Sequence, residues 1–265
     1  MSTTSDLSDL YLGKVITAFE GGIVTRIIDH PHNSNRAFTY EVTFHLQHPR
    51  ILAVARQKPP LHFHPYQEEY IEVLQGCLAV EVDGVEQILS RGDGEFNLRP
   101  WTHHRLYSPI TEVEGKEDKT VFLLSGQDTD EMFRLDTVFF ENWYAYQDLI
   151  VMNGKKFDLI QVMSMFDAGG SYLSLPRWIP FNRTIARGMG IVVGRWVGGL
   201  LGYQPFFRQW TTDWELACRK METSMFYRWF ANGGHEIHNS RLAYMNRPTA
   251  GNYPANRSLL IGHGA

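Results

Sequence analysis

With 265 residues, 43% of them hydrophobic, the chain is long enough for one large domain or a domain with an extension, and apolar enough for a real core. A net charge of −4 and the lack of any Lys/Arg run exclude a nucleic-acid binder, whose phosphate contacts need a concentrated basic face. The polar, acidic start lacks the basic and apolar regions of a secretory signal, so the expectation is a cytoplasmic protein; Cys77 and Cys218, far apart in apolar surroundings, read as buried thiols and not as a disulfide framework.

In chain order, Gly21-Gly22 followed by residues 23–28 reads as a turn and a strand. Residues 29–35 form a loop by composition. Its His30-x-His32 pair has no carboxylate at ligand spacing, and Pro31 interrupts any strand, so the pair reads as loop surface. From residue 37 onward short β-type runs recur at 39–46, 51–56, 70–74, 77–82, 86–89, 95–98, 104–107 and 120–125. Asp83-Gly84 is a two-residue hairpin signal, and Gly92-Asp93-Gly94 marks another reversal. Many short strands separated by turn residues predict a sandwich or a closed barrel.

Beyond Gly126 the composition changes. Residues 137–146 are dense in aromatics, 148–166 read as a helix, and Gly169-Gly170 ends it. Pro176 and Pro180 lie in a turn-rich connector. Residues 184–203 carry Gly190, Gly194, Gly198 and Gly202, a four-residue glycine period that on a helix makes one stripe open to close backbone approach. Interior glycines cost about 1 kcal/mol each against alanine, so this helix needs packing to exist. Tight packing on the barrel or across a homodimer interface is the favoured reading. Membrane association comes second, as a surface helix, and a span last because Arg187 and Arg195 interrupt it. Thr212-Asp213-Trp214-Glu215 reads as a capping box opening a helix through Met221 and Trp229 to Gly233-Gly234. His235 and His238 beyond it read as surface. The division expected is 1–130 for the strands and 131–265 for an aromatic-rich, helical extension packed on them.

The chemistry concentrates in Leu61-His62-Phe63-His64-Pro65-Tyr66-Gln67-Glu68-Glu69, with Gly76 after it and His103-His104 further on. In extended chain His62 and His64 point to one face. Two imidazoles, a carboxylate five residues on and a later histidine can converge on one divalent metal, for which imidazole suits iron, nickel, copper or zinc and an added carboxylate extends the choice to manganese. An inward Glu beside two histidines favours metal, because a buried carboxylate without a partner is costly.

His62-x-His64-x4-Glu69-x6-Gly76 resembles the first motif of the cupin superfamily, and Gly92 to Arg105 resembles the second. Arg56 stands where the first motif begins with Gly, and Trp101 replaces the inner Gly of the second. The resemblance covers about residues 40–125 and implies a cupin-type jelly-roll barrel, so the fold expected is mainly β with an α-helical C-terminal extension. It implies His62, His64, Glu69 and His104 as metal ligands and catalytic centre, with His103 as the alternative to His104; motif spacing favours His104. Within that barrel Ile71 and Val73 would be apolar pocket wall, with Tyr66 and Gln67 at the mouth able to touch substrate. Stretches such as Phe139-Phe140-Glu141-Asn142-Trp143-Tyr144 are similar to cupins of fungal natural-product pathways. That implies an enzyme acting on a hydrophobic, polyketide- or terpenoid-like small molecule by oxygenation or by Lewis-acid isomerisation, cyclisation or dehydration. A metal-free acid–base pocket and a non-catalytic small-molecule binder are the alternatives.

Overall fold

The computed structural model describes residues 12–32, 35–55, 57–109 and 118–231, with the side chain of Met152 excepted. Eleven strands lie among the described residues: β1 (Val15–Ala18), β2 (Ile23–Ile27), β3 (Arg36–His45), β4 (His62–Phe63), β5 (Glu69–Gln75), β6 (Cys77–Val82), β7 (Val85–Ser90), β8 (Phe96–Leu98), β9 (His104–Tyr107), β10 (Lys119–Gln127) and β11 (Tyr172–Leu173). They form two antiparallel sheets, ordered β1-β2-β3-β10-β5-β8 and β11-β4-β9-β6-β7. Inward side chains of both sheets, among them Tyr40, Val42, Ile71, Leu78, Val80 and Leu124, share one core cluster.

Two turns fix this arrangement. Asp83 (φ 47) and Gly84 (φ +84) are both left-handed, as a two-residue hairpin requires between β6 and β7. Gly76 (φ +74) carries the chain from β5 in one sheet to β6 in the other, and a Cβ there would lie 2.9 Å from the carbonyl oxygen of Lys119. Only glycine fits.

Of residues 51–56, read as a strand, 51–54 belong instead to helix α1 (Pro49–Val54). Pro49 sits in its first turn, and the Nδ1 of His48 accepts from the Arg50 amide at 3.3 Å. A short apolar run carries no periodicity able to tell strand from helix, and the preceding cap decides. The single helix expected over 148–166 is two, α2 (Thr137–Met152) and α3 (Leu159–Ala168), parted at Asn153-Gly154. The aromatic stretch is the start of α2, capped by Asp136, whose carboxylate accepts from the Phe139 amide at 2.9 Å. α3 packs under the glycine stripe of α4 (Asn182–Met189), which continues through a π-helical segment (Gly190–Val197) into a last turn, Gly198–Leu200.

That stripe is buried within the chain. A Cβ at Gly190 would meet the Tyr172 ring at 2.5 Å, and one at Gly194 would meet the Met163 carbonyl oxygen at 2.5 Å. A turn with more residues than the 3.6 of an α-helix keeps glycines four apart in line. Gly202 (φ +84) ends the run. The helix after it, α5 (Trp214–Glu222), is capped by Asp213, which accepts from the Leu216 amide at 2.8 Å. Thr212 was expected to be its cap, but its amide and hydroxyl both donate to Glu141, at 2.8 and 2.7 Å. The stretch to Gly233 also breaks, leaving a short α6 (Arg228–Ala231). Both cysteines are free, but Cys77 is exposed and Cys218 only half-buried, against the expectation of buried thiols: Cys77 sits at the open end of β6. Arg56, His235 and His238 lie outside the described residues.

Candidate metal centre

His62 and His104 are directly opposed in the β4–β9 pair, so they must project to the same face, and their ring centroids lie 4.5 Å apart. His64 follows two residues on, past the strand end, with its ring 5.1 Å from that of His62 and 5.0 Å from that of His104. One ligand atom from each of the three histidines can be chosen so that all lie within 4.8 Å of one another. Glu69 arrives from the other sheet as the first residue of β5. Its Oε2 is 3.0 Å from His104 Nε2 and 4.0 Å from His64 Nε2.

The hydrogen bonds behind these rings set which nitrogens face inward. His62 Nδ1 lies 3.0 Å from the Pro60 carbonyl oxygen and His104 Nδ1 lies 2.9 Å from that of Thr102. A nitrogen facing a carbonyl must donate, so in a neutral ring Nε2 carries the bare lone pair. Burial, reinforced by the charge of neighbouring histidines, lowers His62 to about 3 and His64 well below the usual imidazole range. Neutral rings are the result. His104 Nε2 and Glu69 Oε2 face each other across this pocket at 3.0 Å. His64 Nδ1 and Nε2, His104 Nε2 and Glu69 Oε2 are all buried without a hydrogen-bond partner. Buried polar atoms are rarely left so, and one electron pair from each of these three side chains would fit a cation bound among them.

His103 faces the other way: its Nδ1 is 2.6 Å from Ser174 Oγ and its ring stands edge-on to Phe63. Gln67 is buried with its amide engaged, Nε2 donating to the carbonyls of Gln127 and Leu135 and Oε1 accepting from the Leu135 amide. It clamps the chain after β10 onto the loop that carries the histidines. Tyr66 is exposed, beside Trp101 and under the Arg187 guanidinium. Ile71 and Val73 share the inward face of β5 with Glu69 and lie in the core cluster. Glu68 turns outward to Tyr70 and Asn97, and Arg105 forms an ion pair with its cross-strand neighbour Glu81.

Three neighbours of the site were given no role from sequence. Phe166 of α3 presents its ring edge-on to His62 at 5.8 Å, with Trp143 behind it. Tyr144 of α2 lies near enough to Glu69 to feel its charge, and burial pushes its phenol up to about 12. Trp101 holds the left-handed conformation (φ 67) where the motif has glycine; its amide donates to the His64 carbonyl at 2.7 Å and its ring stacks on Phe63. The missing glycine of the second motif was a signal that this position is special.

No protein-family profile matches the chain. Among solved structures, an RmlC-like cupin from Shewanella frigidimarina aligns at 17% identity over 46% of this chain and 88% of that one, with a TM-score of 0.32. Sequence relatives are much nearer. An oxidoreductase of Arthrobotrys oligospora is 45% identical over 82% of this chain and 84% of its own length. The probable oxidoreductase yanE of Aspergillus niger is 44% identical over 83% and 84%. The epoxidase atD of Aspergillus terreus is 40% identical over 77% and 62%. With identity at that level along most of both chains, the protein belongs to this family of fungal oxidoreductases.

Proposed function

We propose that the protein is a metal-dependent oxidoreductase of secondary metabolism acting on a hydrophobic small molecule, and that its two sheets are the halves of a cupin-type jelly roll. One observation carries the reading: three imidazoles bring ligand atoms within 4.8 Å of one another beside Glu69, and buried donor atoms of His64, His104 and Glu69 have no hydrogen-bond partner. His62, His64 and His104 would hold the metal, with Glu69 as the fourth donor. When bound there, an iron, manganese, nickel, copper or zinc ion supplies a Lewis acid, and a redox-active one supplies electron transfer. The relatives' names, oxidoreductase and epoxidase, favour oxidation over isomerisation, cyclisation or dehydration.

The chain's own residues do the rest. The backbone carbonyls of Pro60 and Thr102 hold two rings in the tautomer that binds a cation. Phe166 and Trp143 shut water from the His62 side and suit an apolar substrate. Elemental analysis of the purified protein tests the reading. Near-stoichiometric transition metal is expected, falling about tenfold or more in His64→Ala and His104→Ala but kept in His103→Ala. Equal metal content in the two neighbouring variants, or full activity without metal, would sink it.

A further inference from the structure

We infer that the face formed by Trp178, Phe181 and the outer side of α4 and its π-helical continuation is a docking surface for an anionic lipid bilayer. The helix has two stripes at the same four-residue spacing. Gly190, Gly194 and Gly198 are buried, while two residues round the turn Val192, Trp196 and Leu200 are exposed, Leu200 by 74%. Ile185 extends the exposed stripe toward the helix start, where Trp178 and Phe181 are each 83% exposed. Phe181 also holds a left-handed backbone (φ 54) with no packing of its ring to offset that strain. A contiguous apolar face of this kind marks an interaction site.

Charge selects the occupant. From residue 169 to 212 the chain has five arginines (177, 183, 187, 195 and 208) and no Asp or Glu, in a protein whose net charge is −4. Each of the three exposed tryptophans, Trp178, Trp196 and Trp229, directly follows an arginine. Arg195 is committed to Asp167 and Arg183 pairs with Asp83, while Arg177 donates to the Asp83 backbone carbonyl. Tryptophan at the headgroup level with arginine beside it is what an acidic interface attracts. A second copy of a chain with the same basic face would be repelled by it. No helix among the described residues is long and apolar enough to cross a membrane, so the helix would lie on the surface. Its buried stripe rests on α3, which carries Phe166 to the histidine cluster.

The test is flotation of the full chain with vesicles of phosphatidylcholine, with and without phosphatidylserine. It needs neither metal nor substrate, so its result is separate from that of the catalytic reading. Binding is expected only with phosphatidylserine, weakening as salt rises, and falling about tenfold in a Trp178→Ala/Trp196→Ser/Leu200→Ser variant of unchanged melting temperature. An Arg177→Gln variant should weaken it several-fold while leaving the apolar face intact. Protein that stays in the soluble fraction with both vesicles overturns the inference. So does binding that the variants leave unchanged, or a dimer in analytical ultracentrifugation that the apolar variant dissociates.

Discussion

At the residue scale, Trp101 separates two energies that are usually entangled. The left-handed backbone costs a non-glycine residue about 1–2 kcal/mol, while the ring gains contact with Phe63. Trp101→Ala loses the ring and keeps the strain; Trp101→Gly loses the ring and releases it. The glycine variant should therefore be the more stable of the two by about 1 kcal/mol in urea titration, and a less stable glycine variant would remove strain from the account. Gln67 offers a second test. Gln67→Ala leaves the Leu135 amide and carbonyl and the Gln127 carbonyl without their partner. At about 1–3 kcal/mol for a buried group left unsatisfied, a loss of about 3 kcal/mol is expected by chemical denaturation. A loss below 1 kcal/mol would mean water replaces the amide. The histidine spacing was legible at this scale because alternation along a strand is a local property. Motif spacing favoured His104 over His103, but what brings His104 into the cluster is the pairing of β9 with β4.

At the element scale, α4 and its continuation hold the molecule's most selective packing. Alanine at Gly194 would gain about 1 kcal/mol of helix propensity, but its Cβ would sit 2.5 Å from a backbone oxygen of α3 that cannot swing aside. Overpacking costs about 1–3 kcal/mol, so Gly194→Ala should lower the melting temperature. Gly188 faces open space on the same helix, and Gly188→Ala should raise stability by about 0.5–1 kcal/mol. Two variants with the same effect would show that close packing does not govern this helix. The glycine period announced a tight contact from sequence, yet not its partner; α3 is chosen by tertiary structure. Equally, Thr212-x-x-Glu215 satisfies the capping-box pattern, but Glu141 of α2 takes the threonine and Asp213 takes the cap.

At the scale of the whole molecule, the proposed metal would join the two sheets, since its histidines come from one and its carboxylate from the other. Ion bound only to the folded chain stabilises by about 2.7 kcal/mol at a hundredfold excess over its dissociation constant. For a chain of this size, stripping it with a chelator should lower the melting temperature by about 5–10 °C, restored on adding metal back. No change on chelation of a metal-loaded sample would argue that the sheets do not share an ion.

The sequence alone determined the strand-rich first half, the Asp83-Gly84 hairpin and the candidate donor residues, because alternation, turn chemistry and motif spacing act over a few neighbours. Tertiary structure alone decided that residues 49–54 coil, that the long helix breaks at Asn153-Gly154, that Gln67 is a clamp and that Phe166 and Tyr144 stand beside the donors. Those outcomes rest on contacts between segments tens of residues apart, where a side chain's partner is fixed by how two sheets and two helices close on one core.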